Sequence, residues 1–139
     1  MLSINKHSNR LLNRVFETVK ISGLRMSSSE SKFKVFVTRP IPDEAVSLLK
    51  ANNIELTINN KYGLAKDQLL NSVTNIDALF CTLNDKIDKD VIDAAGASLK
   101  VIGTCSVGFD HIDLKLCKER NIPVGFTPGV LTGTFYELF

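Results

Sequence analysis

From Lys32 onward the hydrophobic period switches back and forth between two and 3.6, and that alternation restricts the chain to few architectures. Lys34 to Thr38, Ile54 to Ile58, Ile76 to Cys81, Leu99 to Gly103 and Ile122 to Phe126 read as strands, spaced about 20 residues apart. The segments between them carry helical spacing. Pro40-Ile41-Pro42-Asp43 breaks the first strand and opens a helix with Ala45, Leu48 and Leu49 on its inner face. Asn59-Asn60 and Gly63 mark a loop before a short helix over Lys66 to Val73. Asp88 starts a helix through Ala97, with Ile87 preceding it and Val91, Ile92 and Ala95 inward. His111 to Arg120 reads as the last helix, lined by Ile112, Leu116 and Cys117. Strands that alternate with helices predict βαβ units in an α/β fold, a parallel sheet flanked by helices through right-handed crossovers. Ile54 to Ile58 alternates as an edge strand does, whereas Ile76 to Cys81 is nearly all apolar, as expected of a strand covered on both faces.

Open parallel sheets bind small ligands beyond the carboxyl ends of their strands. Two loops fall on that rim and are expected to be near neighbours: Thr82-Leu83-Asn84-Asp85 after the third strand, and Gly103 to Asp110 after the fourth. In the second, Ser106-Val107-Gly108 forms a turn that is expected to lead directly into the helix at His111. Unpaired N–H groups and the positive end of the helix dipole would then seat a small anion such as a carboxylate. A purely structural alternative has Gly108 supplying a positive φ. Asp110 reads as the residue that caps the helix, worth about 1 kcal/mol. The spacing of Gly103 and Gly108 resembles a phosphate loop, but Phe109-Asp110 stands where Lys and Ser or Thr are required.

Charge and cysteine usage narrow the function classes. The net charge is +2, and residues 1–31 hold five basic and two acidic groups, leaving a net of −1 for 32–139. That region therefore has no basic stripe for nucleic acid. No apolar run approaches the roughly 18 residues of a membrane span. Cys81, Cys105 and Cys117 show no metal-ligand spacing, and their odd number predicts reduced thiols in a cytoplasmic or mitochondrial compartment. Cys105 reads as a small, partly buried residue in preference to a nucleophile. Residues 1–31 place Leu11, Leu12, Val15, Phe16 and Val19 on one helical face beside Arg10 and Arg14, a composition that suits a mitochondrial targeting leader or a disordered tail. Met26 offers a second start that would yield a cytoplasmic form.

With these residues placed, the region 33–132 resembles the first half of a D-2-hydroxyacid dehydrogenase, nearest to the glyoxylate/hydroxypyruvate reductase branch. Four stretches carry the resemblance in order: Val35 to Arg39, Asp93 to Ile102, Ser106 to His111 and Pro123 to Thr132. It implies a flavodoxin-like substrate-binding domain, with the backbone at Val107 and Gly108, in the turn begun by Ser106, holding a substrate carboxylate. Leu83 closing over the substrate is a weaker carry-over. The implied ligand is a small 2-oxo or 2-hydroxy acid. The family's catalytic arginine, glutamate and histidine lie further along than this sequence runs, so the resemblance assigns no catalytic residue here and does not nominate His111. The family uses NADPH or NADH on a separate Rossmann domain with a Gly-x-Gly-x-x-Gly turn, which this sequence lacks, so no cofactor is expected on this chain alone. Family dimer contacts come mainly from that domain, so the homodimer interface is expected to be largely absent. Phe135 and Tyr136 stand where the family has Thr and Ala. The expected organisation is a leader over 1–31, a substrate-binding domain over 32–132 and a divergent tail over 133–139 of a truncated product. The parent would reduce glyoxylate or hydroxypyruvate, and this chain alone would be silent. The alternatives are a non-catalytic 2-oxo acid binding module and an unstable truncation product. A receiver-like signalling domain is excluded because Arg39-Pro40 follows the first strand where paired acids would be needed.

Overall fold

The computed structural model describes residues 32–52 and 54–127; the leader expected over 1–31 and the tail over 133–139 lie outside the described residues. Five strands form one sheet: β1 (Phe33–Val37), β2 (Ile54–Ile58), β3 (Ala78–Cys81), β4 (Val101–Thr104) and β5 (Val124–Gly125). Their spatial order is β2-β1-β3-β4-β5 and all four pairings are parallel. This is the flavodoxin-like order, in which the chain winds one way from β1 to β2 and the other way from β3 onward. The helices are α1 (Asp43–Ala51), α2 (Lys66–Ser72), α3 (Lys89–Ala95) and α4 (Leu114–Glu119), with a 3₁₀ turn over Gly96–Ser98.

The core is built from the apolar faces that the periodicity marked. Phe36, Leu79, Ile102, Ile87, Val91, Ile92 and Leu69 are buried in one cluster with Val73, Ile76, Cys117 and Ile122. Edge strand β2 alternates between half-buried and exposed residues, while β4 is buried throughout. Asp77 ties the amino ends of three strands: its carboxylate accepts the Lys34 N–H at 2.9 Å and the Lys100 ammonium at 2.6 Å. Gly103 sits where β3 and β4 approach closely; a Cβ there would lie 3.2 Å from Cδ2 of Phe80, its register partner. Among the described residues no helix is long and apolar enough to cross a membrane.

Several boundaries depart from expectation, each for a physical reason. The expected inner face of α1 is only half-buried, because this helix lies at the β2 edge of the sheet. Helix α3 begins after Asp88, whose carboxylate accepts the Val91 N–H at 3.4 Å, but ends at Ala95, because Gly96 adopts a left-handed φ of 70°. Strand β5 shrinks to two residues; Pro123 offers only its carbonyl, which accepts the Ile102 N–H at 3.1 Å. Helix α4 starts at Leu114, three residues later than expected. His111 to Asp113 pair instead with Ile87: the Ile87 N–H reaches the His111 carbonyl at 2.8 Å, and the Asp113 N–H reaches the Ile87 carbonyl at 3.0 Å. The cap is consequently Asp113, which accepts the Leu116 N–H at 3.0 Å, and not Asp110.

Candidate functional site

The reversal of winding lies between β1 and β3, and the loops that leave β1, β3 and β4 meet the rim there. After β3 the chain turns tightly: the Asp85 N–H bonds the Thr82 carbonyl at 3.0 Å. The Asp85 carboxylate then accepts the Thr82 N–H at 2.8 Å, the Thr82 hydroxyl at 3.0 Å and the Thr38 hydroxyl at 2.6 Å. One side chain therefore fastens this loop both to itself and to the end of β1. Leu83 is left at the apex, 65% exposed.

The loop after β4 is held to its neighbour and braced from beneath. The Cys105 N–H extends the ladder to the Cys81 carbonyl at 3.0 Å, and the Ile87–Ile112 bridge joins the two loops further out. Ser106 is buried, and its hydroxyl donates to the Gly108 carbonyl at 2.6 Å. Thr104 Oγ1 lies 2.8 Å from Ser106 Oγ and 2.9 Å from His111 Nε2. The Thr127 N–H and hydroxyl both reach the Ser106 carbonyl at 2.9 Å. No hydrogen bond between described residues uses the N–H of Val107 or of Gly108, and both residues are exposed. Among the described residues two neighbouring backbone donors are thus without a partner on a braced turn, the arrangement that suits a small anion. Exposed Leu83, Val107, Phe109 and Phe126 lie on the loops after β3, β4 and β5, the two phenyl rings meeting edge to face with centroids 5.2 Å apart. Apolar neighbours displace water and strengthen any hydrogen bond made to those donors.

The structure corrects three expectations at this turn. Ser106-Val107-Gly108 does not enter a helix, because α4 begins only at Leu114, so no helix dipole contributes to the seat. Gly108 is not among the glycines with positive φ, which among the described residues are Gly63 and Gly96, so the positive φ expected of it under the structural alternative is not found. Cys105 is exposed, not partly buried, whereas Cys81 and Cys117 are buried. Burial pushes the Cys81 thiol up to about 12 and raises that of Cys117. Burial also lowers the pKa of His111, opposed by the nearby carboxylates of Asp85 and Asp110.

Sequence reasoning passed over Asp85, Thr104 and Thr38. A three-residue Thr82-to-Asp85 spacing is the local signal for the first, since short polar side chains bond backbone a few residues away. Thr38 and Thr104 carried no local signal; their roles depend on which loops the sheet brings together. An open groove of about 560 Å³ lies elsewhere, lined by residues such as Asn59, Lys61, Gln68 and Asn71. It holds none of the candidate residues and no clustered titratable groups. Among the described residues no group of His, Cys, Asp and Glu is arranged to hold a metal ion.

Comparison with known proteins places the fold in a family. The profile of the D-isomer specific 2-hydroxyacid dehydrogenase catalytic domain matches residues 35–138. The chain is similar to the human glyoxylate reductase/hydroxypyruvate reductase, 47% identical over 107 residues that make up 76% of this chain and 33% of that protein. Among solved structures, the TT0316 protein of Thermus thermophilus superposes with a TM-score of 0.71 at 41% identity, covering 76% of this chain and 33% of its own. An NAD+-bound 3-phosphoglycerate dehydrogenase of Entamoeba histolytica superposes with a TM-score of 0.62 at 28% identity, covering 71% and 34%. The chain spans about a third of the length of the curated relatives it matches. On the family profile, the parallel sheet and these likenesses together, it belongs to the D-isomer specific 2-hydroxyacid dehydrogenases, by their catalytic domain.

Proposed function

We propose that this chain supplies the carboxylate-recognising lobe of an NAD(P)H-dependent reductase of glyoxylate or hydroxypyruvate. The observation that carries the reading is the pair of open N–H groups at Val107 and Gly108, braced by the buried Ser106 hydroxyl on the Gly108 carbonyl. These donors would take the substrate carboxylate, and Leu83, exposed on the adjoining loop, would cover the remainder. The similarity to a human enzyme named for both substrates supports the substrate class, and the NAD+-bound relative supports the cofactor class.

The described residues do not fit the dinucleotide itself. No two glycines of the sequence are spaced as Gly-x-Gly, and among the described residues the glycines with positive φ, Gly63 and Gly96, stand far apart. No hydride step is therefore assigned to them. Recognition of one end of a 2-oxo acid cannot replace a hydride donor and a proton donor. Residues 1–139 alone accordingly bind small carboxylates without turnover. The test pairs a thermal melt of the full chain, with and without millimolar oxalate, with an assay of glyoxylate-dependent NADPH oxidation. A cooperative melt that rises with oxalate, beside an assay at the buffer blank, supports the reading. A melt unmoved by oxalate removes the carboxylate seat, and measurable turnover by pure protein removes the division of labour. The basic leader adds a proposal of mitochondrial delivery, with a cytoplasmic form starting at Met26; imaging of a fusion to residues 1–31 that shows only diffuse signal would reject it.

A further inference from the structure

The hydrogen bonds beneath the turn have a direction that atom identities alone decide. A carbonyl oxygen accepts and cannot donate, so the single proton of the Ser106 hydroxyl is committed to the Gly108 carbonyl, 2.6 Å away. Ser106 Oγ must then accept from Thr104, whose hydroxyl lies 2.8 Å from it. That commits the only proton of Thr104, leaving its oxygen to accept from His111 Nε2 at 2.9 Å. The buried Cys81 thiol also borders Thr104, but thiol sulfur is a weak acceptor and competes poorly with the Ser106 oxygen at 2.8 Å. The ring of His111 therefore carries its proton on Nε2.

We infer that His111 is a positioning residue of the carboxylate-binding turn, acting through the directed relay His111 Nε2–H to Thr104, Thr104 to Ser106, and Ser106 to the Gly108 carbonyl. The relay ties the Gly108 carbonyl back to the Ser106 side chain and so closes the turn that contains the Val107 and Gly108 N–H groups; the Val107 N–H shares its peptide plane with the Ser106 carbonyl, which Thr127 holds. The central Thr104–Ser106 bond is buried and the two that flank it are partly buried, so water competes weakly along the relay. His111 itself is held in place by its own backbone, whose carbonyl accepts the Ile87 N–H at 2.8 Å. Sequence adjacency to Asp110 suggests an acid/base pair; the structure turns the ring toward Thr104 instead. This role rests on the carboxylate reading proposed above, and the relay itself does not.

The test separates the two. In the full chain carrying His7→Gln, one histidine remains, and long-range ¹H–¹⁵N spectra report which ring nitrogen is protonated. The relay predicts a neutral ring with the proton on Nε2 and a bare Nδ1; a ring protonated mainly on Nδ1 overturns it. Oxalate binding then reads the positioning role. His111→Gln, which can donate from a similar place, should keep affinity within about threefold, whereas His111→Leu should weaken it roughly tenfold, the loss of about one hydrogen bond. Where His111→Leu does not fold, Thr104→Ser against Thr104→Val gives the same contrast. A folded His111→Leu or Thr104→Val protein that binds oxalate as well as wild type overturns the positioning role. Absence of oxalate binding by wild type, with the Nε2 tautomer in place, overturns the carboxylate reading and the role together while the relay stands.

Discussion

Asp85 shows how much one side chain decides at the rim. Its carboxylate gathers three donors from two loops, and removing it strands the Thr38 and Thr82 groups in partly buried positions. Hydrogen bonds to a charged acceptor are worth roughly 1.5–3 kcal/mol each, reduced by partial exposure, so Asp85→Ala should cost about 2–3 kcal/mol in a urea titration. A loss below about 0.5 kcal/mol would mean that the loop holds its shape without it. Two glycines nearby should separate cleanly in the same measurement. Gly103→Ala places a Cβ 3.2 Å from Phe80 and should cost about 1–3 kcal/mol through overpacking. At Gly108 a Cβ meets only an Asp110 carboxylate oxygen at 3.9 Å with no positive φ, so Gly108→Ala should stay within about 0.5 kcal/mol. Equal costs at the two sites would contradict this account of the turn.

At the scale of elements, α4 is the informative case. A cap is worth about 1 kcal/mol, and the carboxylate that accepts a helix N–H belongs to Asp113. Asp113→Ala should therefore lower the melting midpoint, while Asp110→Ala should leave it nearly unchanged; the reverse order would restore a helix beginning at His111. Among the described residues the strands and the existence of all four α-helices were legible because apolar spacing is a local property. Where α4 begins was not, because Ile112 satisfies the helical pattern and is nonetheless taken up by its bridge to Ile87. Similarly, Pro123 sits inside an apolar run that reads as strand, but its missing donor leaves only Val124–Gly125 paired as β5. The end of α3 at Gly96 was masked by the flanking alanines, which continue the helical pattern past the left-handed residue.

For the whole molecule, pH dependence follows from two kinds of group. Asp88 is held below its usual range by Lys66, and Asp93 by Lys89 and Arg120. Carboxylates with depressed folded pKa values contribute stability that is present above the unfolded value and lost as pH falls through the folded one. All three of these ion pairs lie at the surface, so their effect is small and screened by salt. His111 has a lowered folded pKa, so below its ordinary value of 6.5 the unfolded chain binds more protons than the folded one. Stability should be fully present above pH 6.5 and decline as pH falls toward the folded pKa, with Asp85 and Asp110 moderating the decline. Urea midpoints measured between pH 7.5 and 5 in low and high salt should show this slope, and His111→Gln should flatten it. A slope unchanged by that substitution would place its origin in other groups.

Sequence alone determined the α/β class, the positions of the strands, the family resemblance and which loops the sheet brings together on its rim. All of these rest on local periodicity, on turn residues and on ordered motifs, which do not depend on knowing what touches what. Tertiary structure decided what the Ser106 turn is made of. The chain folds β3 beside β4 and lets Ile87 capture residues 111–113, so the turn gains a buried hydroxyl relay in place of a helix dipole. Asp85 reaches Thr38 across 47 positions and Thr104 reaches His111 across seven, separations that only the assembled sheet and its rim loops convert into hydrogen bonds.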